Sequence, residues 1–320
     1  MNISIIIPVF NSASLLARLL YSIFEKNLES ISLQIVIVDD GSKVPVENDL
    51  YEIKQIALMK NIELIVICQQ NSGPAGARNT GLNYAKGDYI WFCDADDYIL
   101  DDFFSLIMEK IPFKILEFGY YDESTKKKYI PQYKTTISTL SYLEIADGRF
   151  YLWNKIFHRG ILENKLFDER LLTLEDYIFC LNIFSENQYI TPLHEVLYEY
   201  KFNKKSITKK IDELKRKEMS CNTLIVQEKI IALMEKNKNI TYIFERLLAI
   251  SVAGYFFSLI KLKYSQEYFF EAFKFYLKND IIYINPLYFF KFRQIKLFSF
   301  ICFINIFLLF YSCKSKFNQV

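Results

Sequence analysis

An excess of charge of either sign is absent from this chain. Its 320 residues hold 39 lysines and arginines against 37 aspartates and glutamates, a formal net charge of +2. That balance does not demand a nucleic-acid partner, and none is expected. Paired cysteine is missing as well. Cys68, Cys93, Cys180, Cys221, Cys302 and Cys313 follow no paired spacing. This argues against a disulfide or zinc framework and for a reducing compartment, with Cys68 and Cys93 acting as small hydrophobes in strand-like runs. Histidine is limited to His158 and His194, and His194 lies in an apolar, strand-like segment where a core or hydrogen-bonded role is expected. No basic region precedes the first apolar run and no cleavage site follows it, so Met1 to Pro8 reads as a strand rather than a signal peptide. No Gly-x-Gly-x-x-Gly follows that strand. Gly76 to Gly81 has the outer spacing of a P-loop, but Leu82-Asn83 stands where Lys-Ser/Thr is required. Dinucleotide and P-loop folds therefore have little support.

What is present is core material, 52% hydrophobic and 17% aromatic residues, in a length that allows one large domain or one domain with an appendage. Ile3 to Ile7 is a β-branched run of the kind buried on both sheet faces, stopped by Pro8, with Asn11 or Ser12 placed to cap a helix. Gln34 to Val38, Glu63 to Cys68 and Asp88 to Cys93 repeat the strand pattern. Helical segments separate them: Leu15 to Ile23, Glu47 to Lys60, and the Asn79 region entered through Gly73 and Pro74. Four alternations in about 95 residues predict a parallel, doubly wound sheet.

The second strand runs into Asp39-Asp40-Gly41-Ser42 and the fourth into Asp94-Ala95-Asp96-Asp97. Acids at the C-terminal edge of such a sheet stand where open α/β folds bind ligands. Clustered carboxylates repel one another unless protonated or bound to a cation, and hard oxygen donors suit Mg²⁺ or Mn²⁺. Arg78 precedes the second group and suits a diphosphate through paired donation.

Past residue 100 the pattern changes. Phe113 to Tyr121 and Lys128 to Ile137 read as strands joined by a charged turn, and Trp153 to Phe157 and Tyr189 to Tyr200 as further strands. Thr173 is placed to cap a helix whose first turn holds Glu175 and Asp176, acids that serve either the helix dipole or chemistry. Asn203 to Lys210 reads as a basic loop. From Ile211 the signal is helical. Leu297 to Ser312 is a nearly uncharged run between basic flanks, about 24 Å long as a helix and short of the ~30 Å hydrocarbon core. It suits either an interfacial helix on an anionic membrane or a helix packed as core.

Taken together, Ile5 to Asn11, Val36 to Ser42, Asn71-Ser72-Gly73, Ala77 to Gly81 and Asp94 to Asp97 resemble the inverting glycosyltransferases of family 2. The weaker second half fits through Trp153-Asn154-Lys155 and the Glu175-Asp176 pair. The resemblance implies a GT-A nucleotide-diphospho-sugar fold over residues 1–210, with a nucleotide-sugar half at 1–110 and an acceptor half at 111–210, before a helical region at 211–320. It implies that Pro8, Phe10 and Asn11 line a nucleoside pocket with Asp39, which meets the uracil edge, and with Asp40 close by. Arg78 would face the nucleotide or its diphosphate. Asp94, Ala95 and Asp96 would form the DxD element, with Asp94 and Asp96 holding Mn²⁺ or Mg²⁺. Asp176, beside Glu175, would be the general base. The Gln-x-x-Arg-Trp of processive relatives precedes neither Trp91 nor Trp153, so one sugar per encounter is expected. The expected reaction carries a sugar from a UDP-sugar to a glycan acceptor, lipid-linked in view of the basic aromatic tail. The setting would be surface-polysaccharide assembly on the inner face of the cytoplasmic membrane. A nucleotidyltransferase, or a non-catalytic nucleotide-sugar-binding or membrane-scaffold protein, would be the alternative.

Overall fold

The computed structural model describes residues 1–100, 102–146, 150–202 and 213–261, with isolated positions from 268 to 279. The chain divides into two compact units, Met1–Lys209 and Lys210–Val320.

The first unit is built on one mixed sheet. Strands β1 (Asn2–Val9), β2 (Ser32–Asp39), β3 (Glu63–Cys68) and β4 (Tyr89–Phe92) are parallel, in the order β3-β2-β1-β4. Their β-branched and aromatic residues fill both faces. Ile3, Ile5, Ile6, Ile7, Ile35, Val36, Ile37 and Trp91 are all fully buried, as expected for parallel strands covered on both sides. Pro8 does not end β1, which continues to Val9. The β1–β4 ladder stops at Ile6 and Phe92, so the missing proline N–H costs no bond on that side. Cys68 lies exposed at the end of β3, an edge strand, and is not the buried small hydrophobe expected there.

Helices α1 (Ala13–Phe24), α2 (Tyr51–Met59) and α3 (Gly73–Tyr84) cross between these strands. Ser12 stands at the N-cap of α1 but donates to the Phe10 carbonyl instead of capping. A short 3₁₀ turn, Val46–Asp49, replaces the first part of the helix expected from Glu47.

Gly87, just ahead of β4, sits against the β1 backbone. A Cβ there would lie 2.5 Å from the Ser4 nitrogen and 2.7 Å from the Ile3 carbonyl carbon. Backbone cannot swing aside as a long side chain can. Gly87→Ala is expected to cost about 1–3 kcal/mol by overpacking, read as a lowered urea midpoint with an unchanged slope. An unaltered midpoint would mean that β4 can slide away from β1 freely.

Beyond β5 (Tyr98–Ile99) and α4 (Phe103–Met108) the sheet becomes mixed. Strands β6 (Ile115–Asp122), β7 (Lys127–Tyr129), β8 (Ile137–Ser138), β9 (Lys155–His158) and β10 (Tyr189–Tyr200) complete it, with helices α5 (Thr139–Ile145) and α6 (Glu175–Phe184). β9 pairs antiparallel with both β4 and β6, β6 runs parallel to β10, and the main order closes β4-β9-β6-β10-β5. The parallel sheet expected from the first 95 residues is formed there and makes one half of a mixed sheet. The seam between the halves is aromatic. Trp91 stacks on Phe103 at 4.3 Å, and its Nε1 donates to the Trp153 carbonyl at 2.8 Å. His194 bonds the Tyr133 carbonyl through Nε2 at 2.9 Å, a structural role.

In the second unit, α7 (Glu213–Lys236) and α8 (Thr241–Lys261) form a helical pair. Val226, Ile230, Phe244, Leu247 and Val252 are buried, together with Gln227, which bonds Ser251 and Tyr276. Among the described residues no helix is long and apolar enough to cross a membrane. The basic loop 203–210 and the run 297–312 lie outside the described residues.

Candidate active site

The expected acids all reach the C-terminal edge of the parallel strands or the start of α6. At the end of β2, Asp39 is buried and spends both oxygens on loop amides: Oδ1 accepts from Ser42 N–H at 2.9 Å and Oδ2 from Val46 N–H at 3.0 Å. Asp40 Oδ1 accepts from Gln69 Nε2 and from Ser72 N–H, both at 2.8 Å. The pair thus organises the loops after β2 and β3. A carboxylate offers about four lone-pair sites, so these bonds leave Asp39 acceptor capacity. Asn11 adopts a left-handed backbone, φ 53°, and its Oδ1 accepts from Lys43 N–H at 2.8 Å. Pro8 is half-buried, and Phe10 is 45% exposed on the same loop cluster.

At the end of β4 the chain turns through Asp94-Ala95-Asp96-Asp97, closed by Asp97 N–H to the Asp94 carbonyl at 3.2 Å. The four residues divide the labour. Asp97 is fully buried and holds β10 in place, accepting from the Tyr198 hydroxyl at 2.7 Å and from Lys201 N–H at 2.8 Å. Burial, then the charge of Asp94, raises its pKa well above the usual carboxylate range. Ala95 packs into the core. Arg18, on α1, donates to the Asp96 carbonyl and steadies the turn. Asp94 and Asp96 remain the partly exposed pair.

Arg78 joins the two acidic elements. It lies on α3, 7% exposed, with Nη1 on Glu175 Oε1 at 2.6 Å and Nη2 on Asp94 Oδ1 at 3.1 Å. Its guanidinium lies over the Phe167 ring. Burial works against its charge, but Glu175, Asp94 and Asp176 outweigh that and hold it firmly protonated. Its Nε is buried without a partner. Asn79, the next residue, fastens α3 to the segment before α6: its Nδ2 donates to the Phe167 carbonyl at 3.0 Å and to Glu169 at 2.9 Å, and its Oδ1 accepts from Phe167 N–H at 2.8 Å.

Helix α6 begins after Leu174, not Thr173. Leu174 takes a left-handed backbone, φ 67°, and no side chain caps the helix. A leucine in that region costs of order 1–3 kcal/mol, and the turn it makes precedes the Glu175-Asp176 pair directly. Glu175 is consumed by Arg78. Asp176 accepts from Tyr177 N–H at 2.7 Å through one oxygen. Burial, then the charge of Glu175, pushes its pKa up to about 7, with Arg78 pulling the other way. A carboxylate poised near neutrality suits proton abstraction.

The sequence pointed to Arg78, Asp94, Asp96, Glu175 and Asp176, and the structure brings them into one cluster. Three participants were not foreseen: Arg18, Tyr198 and Leu174. Tyr198 lies in a strand whose register shifts around Val196 and which buries Leu197 and Tyr198 in succession, and Leu174 is an ordinary hydrophobe, so neither carries a local signal.

Comparison with known proteins agrees with this geometry. Residues 4–152 match the sequence profile of glycosyl transferase family 2. Over 221 residues the chain is 31% identical to the uncharacterized glycosyltransferase EpsJ of Bacillus subtilis, covering 64% of this chain and 62% of that one. It is 28% identical over 191 residues to the poly(ribitol-phosphate) beta-N-acetylglucosaminyltransferase TarP of Staphylococcus aureus, covering 56% of each. The chain thus spans less than two thirds of either protein. Among solved structures, S. aureus TarS 1-349 in complex with UDP-GlcNAc superposes with a TM-score of 0.67 at 19% identity, over 93% of this chain and 89% of that one. The parallel strands with their acid edges, the mixed half that follows and these matches lead to one conclusion: residues 4–152 form a glycosyltransferase family 2 domain, and the chain is built on the GT-A fold.

Proposed function

We propose that this chain transfers one sugar from a UDP-sugar to a hydroxyl of a glycan acceptor, with inversion, in the assembly of a cell-surface polysaccharide. The observation that carries the reading is the cluster around Arg78, whose two terminal nitrogens join Asp94 in the acidic turn to Glu175, the residue before Asp176 at the start of α6. The relatives' names add the reaction class, and the neighbour solved with UDP-GlcNAc adds the nucleotide.

In this reading Asp176 accepts the proton of the acceptor hydroxyl through the oxygen turned away from Tyr177. The hydroxyl oxygen bonds to the anomeric carbon as the bond from that carbon to the diphosphate oxygen breaks, and UDP leaves with the electron pair. A single displacement inverts the centre. Asp39 and the Pro8–Asn11 loop face the nucleoside. Arg78 pairs with Glu175 and Asp94 and keeps α6 in register with the turn.

The donor chemistry at the turn fits a divalent cation. Among the described residues no three His, Cys, Asp or Glu side chains form a complete ligand set. Mg²⁺, however, is usually held by one or two carboxylates plus substrate phosphates. Asp94 and Asp96 supply that pair. Burial, offset by Arg78, and then the charge of Asp96 raise the pKa of Asp94, a repulsion that a bound cation relieves. When bound, Mn²⁺ or Mg²⁺ supplies positive charge beside the leaving diphosphate.

The test is UDP release from a panel of UDP-sugars with Mn²⁺, Mg²⁺ or chelator. One donor is expected to hydrolyse slowly, and only with metal. Equal release in chelator would remove the metal from the reading. No UDP binding in any tube would remove the nucleotide.

A further inference from the structure

A cavity of about 360 Å³ opens on the acceptor half, among β6, β7, the loop that follows it, and α5. That volume is at the lower end of the ~300–1,000 Å³ range of ligand pockets. Its walls are tyrosine: Tyr120, Tyr129, Tyr133, Tyr142 and Tyr151, around Glu117. The hydroxyls of Tyr133 and Tyr142 turn inward and donate to Glu117 at 2.9 and 2.7 Å. Lys155, fully buried, pairs with Glu117 at 3.0 Å and also donates to Asn154 Oδ1 and the Tyr151 carbonyl. The carboxylate is therefore compensated by Lys155, and among the described residues the lining holds no lysine or arginine.

Ring contacts join this cavity to both parts of the site. Trp153 stacks on Tyr151 at 4.9 Å, on Tyr198 at 5.1 Å and on Tyr200 at 5.4 Å, and the Tyr198 hydroxyl bonds Asp97. On the other side Tyr142 meets Phe150, which meets Tyr177 at 5.0 Å, the residue after Asp176.

We propose that this tyrosine-walled cavity holds an uncharged sugar unit of the acceptor, next to the unit that is glycosylated. The proposal rests on the transferase reading above. A pyranose offers an apolar C–H face to an aromatic ring and hydroxyls to the polar rim. A polyol phosphate brings a charge for which the described lining holds no counter-ion, and transferring that charge from water without a partner is costly. A cation meets a glutamate already compensated by Lys155.

Saturation-transfer NMR on the full chain, with UDP titrated into the same tubes, tests this. The probes are lactose and chitobiose, both neutral, and ribitol 5-phosphate. The variants are Tyr129→Ala and Ile130→Glu. Ile130 lines the cavity and is 44% exposed, so the second variant leaves the core intact. The expected result is saturation of a neutral disaccharide and none of ribitol 5-phosphate, with affinity for the disaccharide falling about tenfold in either variant. A disaccharide signal undiminished in Ile130→Glu would overturn the proposal, as would ribitol 5-phosphate binding that both variants remove. A chain that binds the disaccharide but not UDP would sink the donor reading and leave the pocket standing. A chain that binds UDP and no sugar would sink the pocket alone.

Discussion

Asp176→Asn is expected to cut transfer by about 10²–10⁴-fold, the usual worth of a positioned base, with UDP affinity changed by less than about twofold. Asparagine keeps the shape and still accepts from Tyr177 N–H, so the loss isolates proton transfer. The same group sets the pH profile. Its pKa in the free enzyme is about 7, raised by burial and by Glu175, and a base works only when deprotonated. kcat/KM should therefore fall tenfold per pH unit below about pH 7 and level off above it. Stability should move in the opposite sense. A carboxyl whose folded pKa lies above its unfolded value near 4 contributes stability that is fully present below about pH 4 and lost as pH rises through about 7. Activity thus needs the form of Asp176 that the fold favours less. Normal turnover by Asp176→Asn, or a profile flat from about pH 5.5 to 8, would assign the base elsewhere.

Arg78→Met should be the most destabilising single change in the site. It strands Glu175, whose side chain is 10% exposed, and Asp94, whose side chain is 32% exposed. Removing one partner of a buried pair costs about 3–5 kcal/mol, because the charge left behind has no compensation. Glu175 accounts for the larger share, since water reaches Asp94 better. The discriminating measurement is a urea denaturation series that includes Arg78→Met/Glu175→Gln. Neutralising the stranded acid should restore a large part of the loss. If the double variant is no more stable than the single one, the cost lies in packing against Phe167 rather than in charge. Arg78→Lys should not substitute, because one ammonium cannot reproduce the paired fork that spans two acids.

The first half of the fold was legible because its signals are local. Ile3 to Ile7, Gln34 to Val38 and Glu63 to Cys68 are apolar runs of strand length, each followed by a helical period, and they fold as the parallel strands expected. The acids at the strand ends were legible for the same reason. What connects them was not. Arg78 and Glu175 are 97 residues apart, and nothing in either segment encodes the partner. Asp97 looks like a third member of the acid cluster in the sequence, yet its carboxylate faces inward to Tyr198, because the turn that exposes Asp94 and Asp96 rotates it into the core. Thr173 looked like the cap of α6, but the left-handed Leu174 starts that helix. The tyrosines around Glu117 come from five separate segments, so the cavity exists only once the mixed half has formed.

The antiparallel pairing of β9 with β4 has a consequence in time. The outer edge of β4 is covered by β9, whose first residue lies 63 positions after Phe92. At translation rates of ~5–20 residues per second, those residues take about 3–13 s to synthesise. Through that interval the nascent chain can complete β1 to β4 yet must carry Tyr89-Ile90-Trp91-Phe92 as a bare strand edge. Apolar, uncharged and free of proline, this is the kind of segment that recruits another chain's strand. The seam that unites the parallel and mixed halves in the finished protein is an aggregation-prone surface during birth.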